Sequence, residues 1–499
     1  MVVTAEEVTI IDKNSEELGV SVLQLMENAG AGAARLILEH YSDAKNIVIC
    51  CGIGNNGGDG FVVARHLSAQ VENVSIYLIG QESRIRSAAA KKNYQILKEQ
   101  HQSINLVQIK DSSEIAKLKK QLKSADLVVD ALLGTGITKT PYEPIKSAIK
   151  AINNAGKPIA SIDLPSGMNS DQAKKTKIMI NADLVTTFHD TKPCLTIDEL
   201  KSKTKIVNIG VPKEAITHVG KGDFIVTYPK RKAVSHKGQN GVVLVIGGSK
   251  DYSGAPILSS QAALRAGADL VYTCVPQIIA DVSKNTSPNL IIRSFDKTHL
   301  TPKSLNQIVN LVKNVDSIVI GPGIGTHSET FKFINDFLKI DFKPKSIIID
   351  ADALKAIKDS IDILKNNKTI LTPHAGEYKL LFGTKVEVDL LKRTKQILSK
   401  SKEISSTIVL KGKNDVISDG NSVKINRTGH PGMTVGGTGD VLAGVIGAIC
   451  SIVPNTYRSS CASTYLTGKA GEYAAKEFGN SLLATDVIEM IPKVILDLK

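Results

Sequence analysis

The chain has 499 residues, 42% of them hydrophobic and 22% charged, which allows two to four domains of roughly 150 residues and argues against a predominantly disordered protein. Six cysteines (Cys50, Cys51, Cys194, Cys274, Cys450 and Cys461) form no CxxC pair, which argues against a structural zinc site and a disulfide-stapled secreted domain. A net charge of +13 favours anionic partners, but with 4% aromatics and no tryptophan the chain has little material for stacking on single-stranded nucleic acid, so phosphorylated small molecules are expected instead.

The opening residues, MVVTAEEVTIIDKNSEEL, have no basic region followed by an apolar run, and the longest apolar stretch, Val441 to Val453, is shorter than the roughly 20 residues a membrane span needs. A cytoplasmic protein without membrane or nucleic-acid partners is expected. A helix is predicted from about Val20 to Tyr41, with Leu23, Met26, Ala33, Ile37 and Leu38 at helical spacing. From Asn46, short β-branched runs alternate with amphipathic stretches: NIVICC, VSIYLIG, INLVQI, DLVVDALLG, PIASIDLPSG, LVTTFHD and KIVNIG. This pattern predicts parallel strands with crossover helices. The segment Val211 to Lys232 mixes charges, glycine and proline without periodicity and reads as a connector. Alternation resumes with GVVLVIGG, ADLVYTCV, SIVIGPGIG, SIIIDADAL, TILTPHAGEY and STIVLKGKND, followed by a hairpin-like DVISDGNSVKIN and helices from Gly439 onward. The expectation is two α/β domains, at 1–212 and 225–499, joined by a linker at 213–224.

In the first half, GIGNNGGDG (Gly52 to Gly60) lies between a strand and a helix. Gly57, Gly58 and Gly60 there would let backbone N–H groups approach a phosphate at the helix N-terminus, while Asn55, Asn56 and Asp59 add polar groups a plain turn does not need. DALLGTGITKT (Asp130 to Thr140) and DLPSG (Asp163 to Gly167) also follow strands, so all three loops lie at the edge where open parallel sheets bind ligands. Asp163 alone reads equally as a turn or N-cap residue.

These three motifs, after MENAG (Met26 to Gly30), resemble the YjeF N-terminal family, the NAD(P)H-hydrate epimerases. The resemblance implies a Rossmann-like three-layer α/β/α domain that binds the hydrated nucleotide through Asn55, Asn56, Gly57, Gly58, Asp59, Gly134, Thr135, Gly136, Ile137, Thr138, Lys139, Thr140 and Asp163. It also implies that Asn56, Asp130 and Ser166 bind K+, as hard oxygen donors suit. Asp163 is assigned the proton transfer that epimerisation needs. Glu27 and Asn28 read as structural. The chain departs from the family in following DLPSG with MNSD (Met168 to Asp171).

The second half carries GHPGMTVGGTGDVLAG (Gly429 to Gly444), a glycine loop running into an apolar helix. Gly436, Gly437 and Gly439 expose backbone donors for a transferred phosphoryl group. Asp440 taken alone would cap the helix, but in GTGD it reads as the base that receives a hydroxyl proton.

The loop resembles the ribokinase-like superfamily. With HKGQNGVVLVIGGSKDYSGAP (His236 to Pro256), GPGIG (Gly321 to Gly325), DADAL (Asp350 to Leu354) and TPHAGE (Thr372 to Glu377), the domain looks like the NAD(P)H-hydrate dehydratases. By that resemblance Ala255, Gly323, His374 and Asp440 contact the hydrated dinucleotide, and Lys411, Gly412, Lys413, Asn414, Asp415 and Gly439 hold the adenine nucleotide. His374 by itself reads as a packed or capping histidine and Lys411 as a solvated strand-end lysine; Asp350 and Asp352 either orient metal-bound phosphates or position a loop.

The implied chemistry is phosphorylation of the ring hydroxyl followed by elimination, acting on hydrated NADH and NADPH (NADHX and NADPHX), with Mg2+ in the dehydratase domain. ADP is expected as donor because both activities share one chain. A homo-oligomer is expected, although periodicity does not separate an interface from core. Two rival readings are a vitamin-precursor kinase, which shares the fold and the GTGD loop, and a non-catalytic scaffold of the YjeF type. The first leaves the N-terminal domain without a task, and the second is disfavoured by the presence of Asn56, Asp59, Asp130 and Asp163.

Overall fold

A computed structural model describes residues 2–137, 139–340, 346–364 and 368–498. It divides into two compact units, Met1–Lys213 and Glu214–Lys499.

In the first unit, β1 (Asn46–Cys51), β2 (Asn73–Ile79), β3 (Ile104–Ile109), β4 (Leu127–Ala131), β5 (Ile159–Ile162), β6 (Leu184–Phe188) and β7 (Thr204–Val207) pair in the order β3-β2-β1-β4-β5-β6-β7. Every pairing is parallel. The strands are β-branched because helices bury both faces, Phe61 and Val62 on one side and Leu118 and Ile149 on the other. The order reverses between β1 and β4, which opens a crevice at their carboxyl ends.

Two helices precede the sheet. α2 (Val22–His40) matches the apolar periodicity, and α1 (Ala5–Glu17) is an addition to the sequence reading. Its signal is a reciprocal cap: Thr4 Oγ1 accepts the Glu7 N–H at 3.3 Å and Glu7 Oε2 accepts the Thr4 N–H at 3.0 Å.

In the second unit, β8 (Val242–Ile246), β9 (Leu270–Pro276), β10 (Ile291–Phe295), β11 (Ser317–Ile320), β12 (Ser346–Ile349), β13 (Thr369–Leu371), β14 (Thr407–Leu410), β15 (Asp415–Ser418) and β16 (Val423–Asn426) pair in the order β10-β9-β8-β11-β12-β13-β14-β15-β16. Pairing is parallel as far as β14 and antiparallel through the β15–β16 hairpin. β10 is absent from the sequence reading because Arg293 and Ser294 interrupt its short, half-buried edge run.

The apolar stretch at 441–453 is a core element: from Val441 to Cys450 the helix Thr438–Cys450 is buried throughout. No helix among the described residues is long and apolar enough to cross a membrane. The six cysteines are buried and free.

The expected irregular connector differs from the structure. Lys213–Thr217 and Lys221–Thr227 are helices, and Phe224 is buried in the core of the second unit. The Gly220 N–H donates to Asp223 Oδ2 at 3.0 Å, and Asp223 Oδ1 accepts Lys424 at 2.7 Å. The Gly-x-x-Asp spacing of this cap is hidden among charges.

Candidate active sites

At the first crevice, α3 (Asn55–Ser68) starts directly after β1, with Gly54 as its N-cap residue. Two of the glycines are needed for packing. Gly58 donates its N–H to Gly54 O within the helix, and a Cβ on Gly57 would stand 1.9 Å from Gly52 O. They let α3 press against β1 and α2. The open cavity beside them, about 530 Å³, is lined by Asn55, Asn56, Asp59, the residues from Gly134 to Ile137, and Asp163. Gly57 and Gly58 are buried and do not line it, Lys139 and Thr140 are exposed away from it, and Thr138 lies outside the described residues.

Asp163 follows β5 with φ at +67°, a strained backbone for a residue with a Cβ. Its Oδ2 accepts the Thr135 N–H at 3.2 Å, and its Oδ1 lies 2.8 Å from Lys192 Nζ. Lys192 is completely buried and also donates to Thr187 Oγ1 and the Phe188 carbonyl, each at 2.7 Å. Burial pushes Asp59 well above the usual carboxylate range; Asp163 and Asp12 add to this and Lys192 opposes it. Lys192, His189 and Asp12 line this cavity without having been marked by the sequence, because a lysine, a histidine and an aspartate in polar segments look like surface residues.

Asp130, in β4, is fully buried and raised in pKa by that burial. One oxygen accepts Ser161 Oγ at 2.8 Å and the Ser166 N–H at 2.9 Å, and the other accepts Ser166 Oγ and the Leu132 N–H. Asn56 donates through Nδ2 to the Leu133 carbonyl at 2.9 Å, while its buried Oδ1 has no protein partner. Leu133 O also accepts Ser166 Oγ at 3.2 Å. An orphaned amide oxygen beside a carbonyl and a hydroxyl fits a hard monovalent cation. Glu27 pairs with Arg65 and His66, and Asn28 donates to the Ile209 carbonyl, so both tie α2 to its neighbours.

In the second unit a cavity of about 750 Å³ is lined by Ala255, Gly323 and Asp440, together with Asp352 and Glu377. Gly437, at φ +97°, is the N-cap residue of the helix that carries Asp440, and no side chain caps it. The Asp440 carboxyl is therefore not spent on its own helix. Burial raises it to about 7; Asp350, Asp352 and Glu377 add to the shift and Lys411 opposes it.

Lys411 Nζ lies 2.7 Å from Asp350 Oδ1. Burial disfavours its charge, but Asp350 and Glu377 outweigh that and hold its pKa above the usual value. A Cβ on Gly439 would lie 3.3 Å from the same Nζ, so Lys411 stands over the glycine loop. Asp350 also accepts Thr372 Oγ1 at 2.7 Å; Asp352 accepts the Gly325 N–H at 3.2 Å and Lys355 at 2.7 Å.

His374 is the N-cap of the helix Ala375–Phe382, with Nδ1 accepting from Gly376 and Glu377, and it stands beside the cavity rather than lining it. Gly412, Lys413 and Asn414 form the turn between β14 and β15. Asp415 closes that turn by accepting the Gly412 N–H and Asn426 Nδ2, each at 3.0 Å, and burial raises its carboxyl to about 6. At the cavity rim, His299, His327 and Glu329 cluster, but His327 is the N-cap residue of the helix Ser328–Leu338.

A family model described as NAD(P)H-hydrate dehydratase matches residues 243–493, and one described as YjeF-related protein N-terminus matches residues 22–194. The chain is 38% identical to the bifunctional NAD(P)H-hydrate repair enzyme of Pyrobaculum aerophilum over 499 residues, covering 99% of this chain and 98% of that one. It is also 38% identical to the enzyme of that name from Archaeoglobus fulgidus, covering 100% and 99% of the two chains. Among solved structures, a ribokinase-like superfamily protein of Enterococcus faecalis aligns at 25% identity with a TM-score of 0.50, covering 57% of this chain and 96% of that one.

Proposed function

Because the chain belongs to the family of bifunctional NAD(P)H-hydrate repair enzymes, we propose that its first unit epimerises the R and S hydrates of NADH and NADPH at the Asp163 cavity and its second unit dehydrates the S hydrate at the Asp440 cavity. The observation that carries this assignment is the presence of two separate cavities in one chain, each at the carboxyl edge of the parallel strands of its own sheet.

In the first cavity Asp163 is the proton-transfer group, and Asn55, Asn56, Asp59 and the backbone from Gly134 to Ile137 receive the hydrated nucleotide. Asn56 Oδ1, the Leu133 carbonyl and Ser166 Oγ would hold K+, with the Asp130 charge behind them. The ion would supply positive potential for the dinucleotide phosphates.

In the second cavity Ala255 and Gly323 contact the substrate, and Asp440 takes the proton of the ring hydroxyl as phosphate is transferred to it; phosphate then leaves and the reduced nicotinamide is restored. Lys411 and Gly439 receive the nucleotide phosphates, with the Gly412 to Asp415 turn beside the adenosine. Asp350 and Asp352 each have one oxygen paired to a lysine, and Mg2+ is proposed to enter with the nucleotide. The proposed donor is ADP, in keeping with the fusion of both activities on one chain; the proposed setting is a cytoplasmic homo-oligomer.

The test is to give the protein mixed epimers of hydrated NADH with ADP, Mg2+ and K+ and to follow the return of reduced-nicotinamide absorbance. Wild type converts both epimers, Asp440→Ala converts neither, and Asp163→Ala slows only the R epimer. Failure of wild type with both ADP and ATP would overturn the reading.

A further inference from the structure

α1 lies over the first cavity and lines it with Val8, Thr9 and Asp12, one face of the helix. Asp12 Oδ1 is 3.1 Å from Nε2 of His189; the histidine side chain is 5% exposed, while that of Asp12 keeps 39%. This repeats the arrangement at Asp163, where a carboxylate that lines the cavity is gripped by a buried nitrogen beside it, there Lys192. Both holders come from the one turn that follows β6. His189, at φ +66°, is strained directly after β6 just as Asp163, at +67°, is strained directly after the neighbouring β5. Asp59 is within electrostatic reach of both carboxylates.

We propose that Asp12 is a second catalytic carboxylate of this cavity, exchanging a proton with the ring hydroxyl of the epimer whose hydroxyl points away from Asp163. The assignment rests on the epimerase reading of the first unit. In the hydrated nicotinamide the hydroxyl sits on a carbon bonded to the ring nitrogen. One carboxylate takes the hydroxyl proton, the carbon–nitrogen bond breaks with its electron pair going to nitrogen, and the alcohol becomes a carbonyl. Rotation then offers nitrogen the other carbonyl face. The nitrogen pair re-forms the bond, and the oxygen takes a proton from the second carboxyl group. The pair ends with roles exchanged, and Asp59, a half-buried cavity acid within electrostatic reach of both, returns the proton. One stereogenic carbon is inverted and no atom is gained or lost.

The experiment uses the full chain without nucleotide, the R hydrate of NADH alone, and chromatographic separation of the epimers. Asp12→Asn is expected to lower kcat about 100-fold or more in both directions, as the loss of a general acid–base does, with KM changed less than about threefold. Asp12→Glu recovers part of the rate. Retention of the wild-type melting transition of the first unit, which carries Asp12, reports that this variant is folded. A folded Asp12→Asn that keeps a third or more of wild-type kcat overturns the assignment. So does a result in which His189→Asn loses as much and Asp12→Glu restores nothing, because Asp12 is then only an anchor for the turn. If wild type fails to interconvert the epimers, the epimerase reading itself falls.

Discussion

Lys192 Nζ lies 2.8 Å from Asp163 Oδ1, with the lysine completely withdrawn from solvent. Its remaining hydrogens go to Thr187 and the Phe188 carbonyl, so the ammonium is fully satisfied and fixes the carboxylate it touches. Removing one member of a buried pair strands the other, which costs about 3–5 kcal/mol. Lys192→Met is expected to lose that much in denaturant unfolding of the first unit and to slow epimerisation at least tenfold, while Asp163→Asn combined with Lys192→Met recovers part of the stability but none of the rate.

Asp440 sets the pH behaviour of the second unit. Its carboxyl titrates near 7 in the folded protein against an ordinary value of 3.8. The unfolded chain therefore loses this proton first, and stability falls as pH rises from about 4 to about 7, then stays level. Dehydration needs the carboxylate and is expected to rise with pH to a plateau above about 7. Asp440→Asn is expected to abolish dehydration and to unfold at a higher temperature than wild type at pH 8, with a difference that shrinks toward pH 4. A gain of about 1–3 kcal/mol is expected.

Lys411 opposes that shift of Asp440 and pairs with Asp350. Lys411→Met is expected to move the acid limb of the dehydration profile to higher pH and to raise KM for the nucleotide about tenfold to a hundredfold, as loss of a charge-assisted phosphate contact does. Epimer interconversion measured on the same sample should be unchanged.

The orphaned Asn56 Oδ1 gives a test for the monovalent ion. Epimerisation by wild type should fall when tetramethylammonium replaces K+, and Asn56→Ala should be slow in both salts. An undiminished K+ response in Asn56→Ala would place the ion elsewhere.

Gly57→Ala would drive a methyl group into Gly52 O, a backbone atom with little freedom to retreat. Overpacking of this kind costs about 1–3 kcal/mol, and melting of the first unit should show it. Since Gly57 does not line the cavity, KM for the hydrate should move less than it does in Asn56→Ala.

Much of this architecture is written in the chain as periodicity. The inner strands of the first sheet follow from runs such as NIVICC and LVVDA because a parallel strand buried on both faces needs a continuous apolar run, while the edge strands INLVQI and TKIV are half-exposed and carry polar residues. The glycine-bearing loops could be found because strand ends, glycines and acids cluster there. Their parts could not be told apart: Gly57 and Asn56 are adjacent in sequence, yet one packs a helix and the other faces the cavity. His374, implied by the resemblance to contact the substrate, also serves as a helix cap through Nδ1, a role that depends on the N–H groups ahead of it. Lys192 and Asp12 were invisible for the opposite reason. Their importance comes from partners at Asp163 and His189, remote in sequence, which only the fold supplies. α1 went unread although its Thr4–Glu7 cap is a local signal, because its apolar face is sparse.

The stretch after Lys213 bears on where this gene can be cut. With Phe224 seated in the second core and Asp223 paired to Lys424, residues 214–227 belong to the polypeptide that follows them. Separating the halves at the codon after 213 would give each half its own complete hydrophobic interior. A cut at 224, where the charge and glycine pattern invites it, would leave a plug missing from one product and an orphan aromatic trailing from the other.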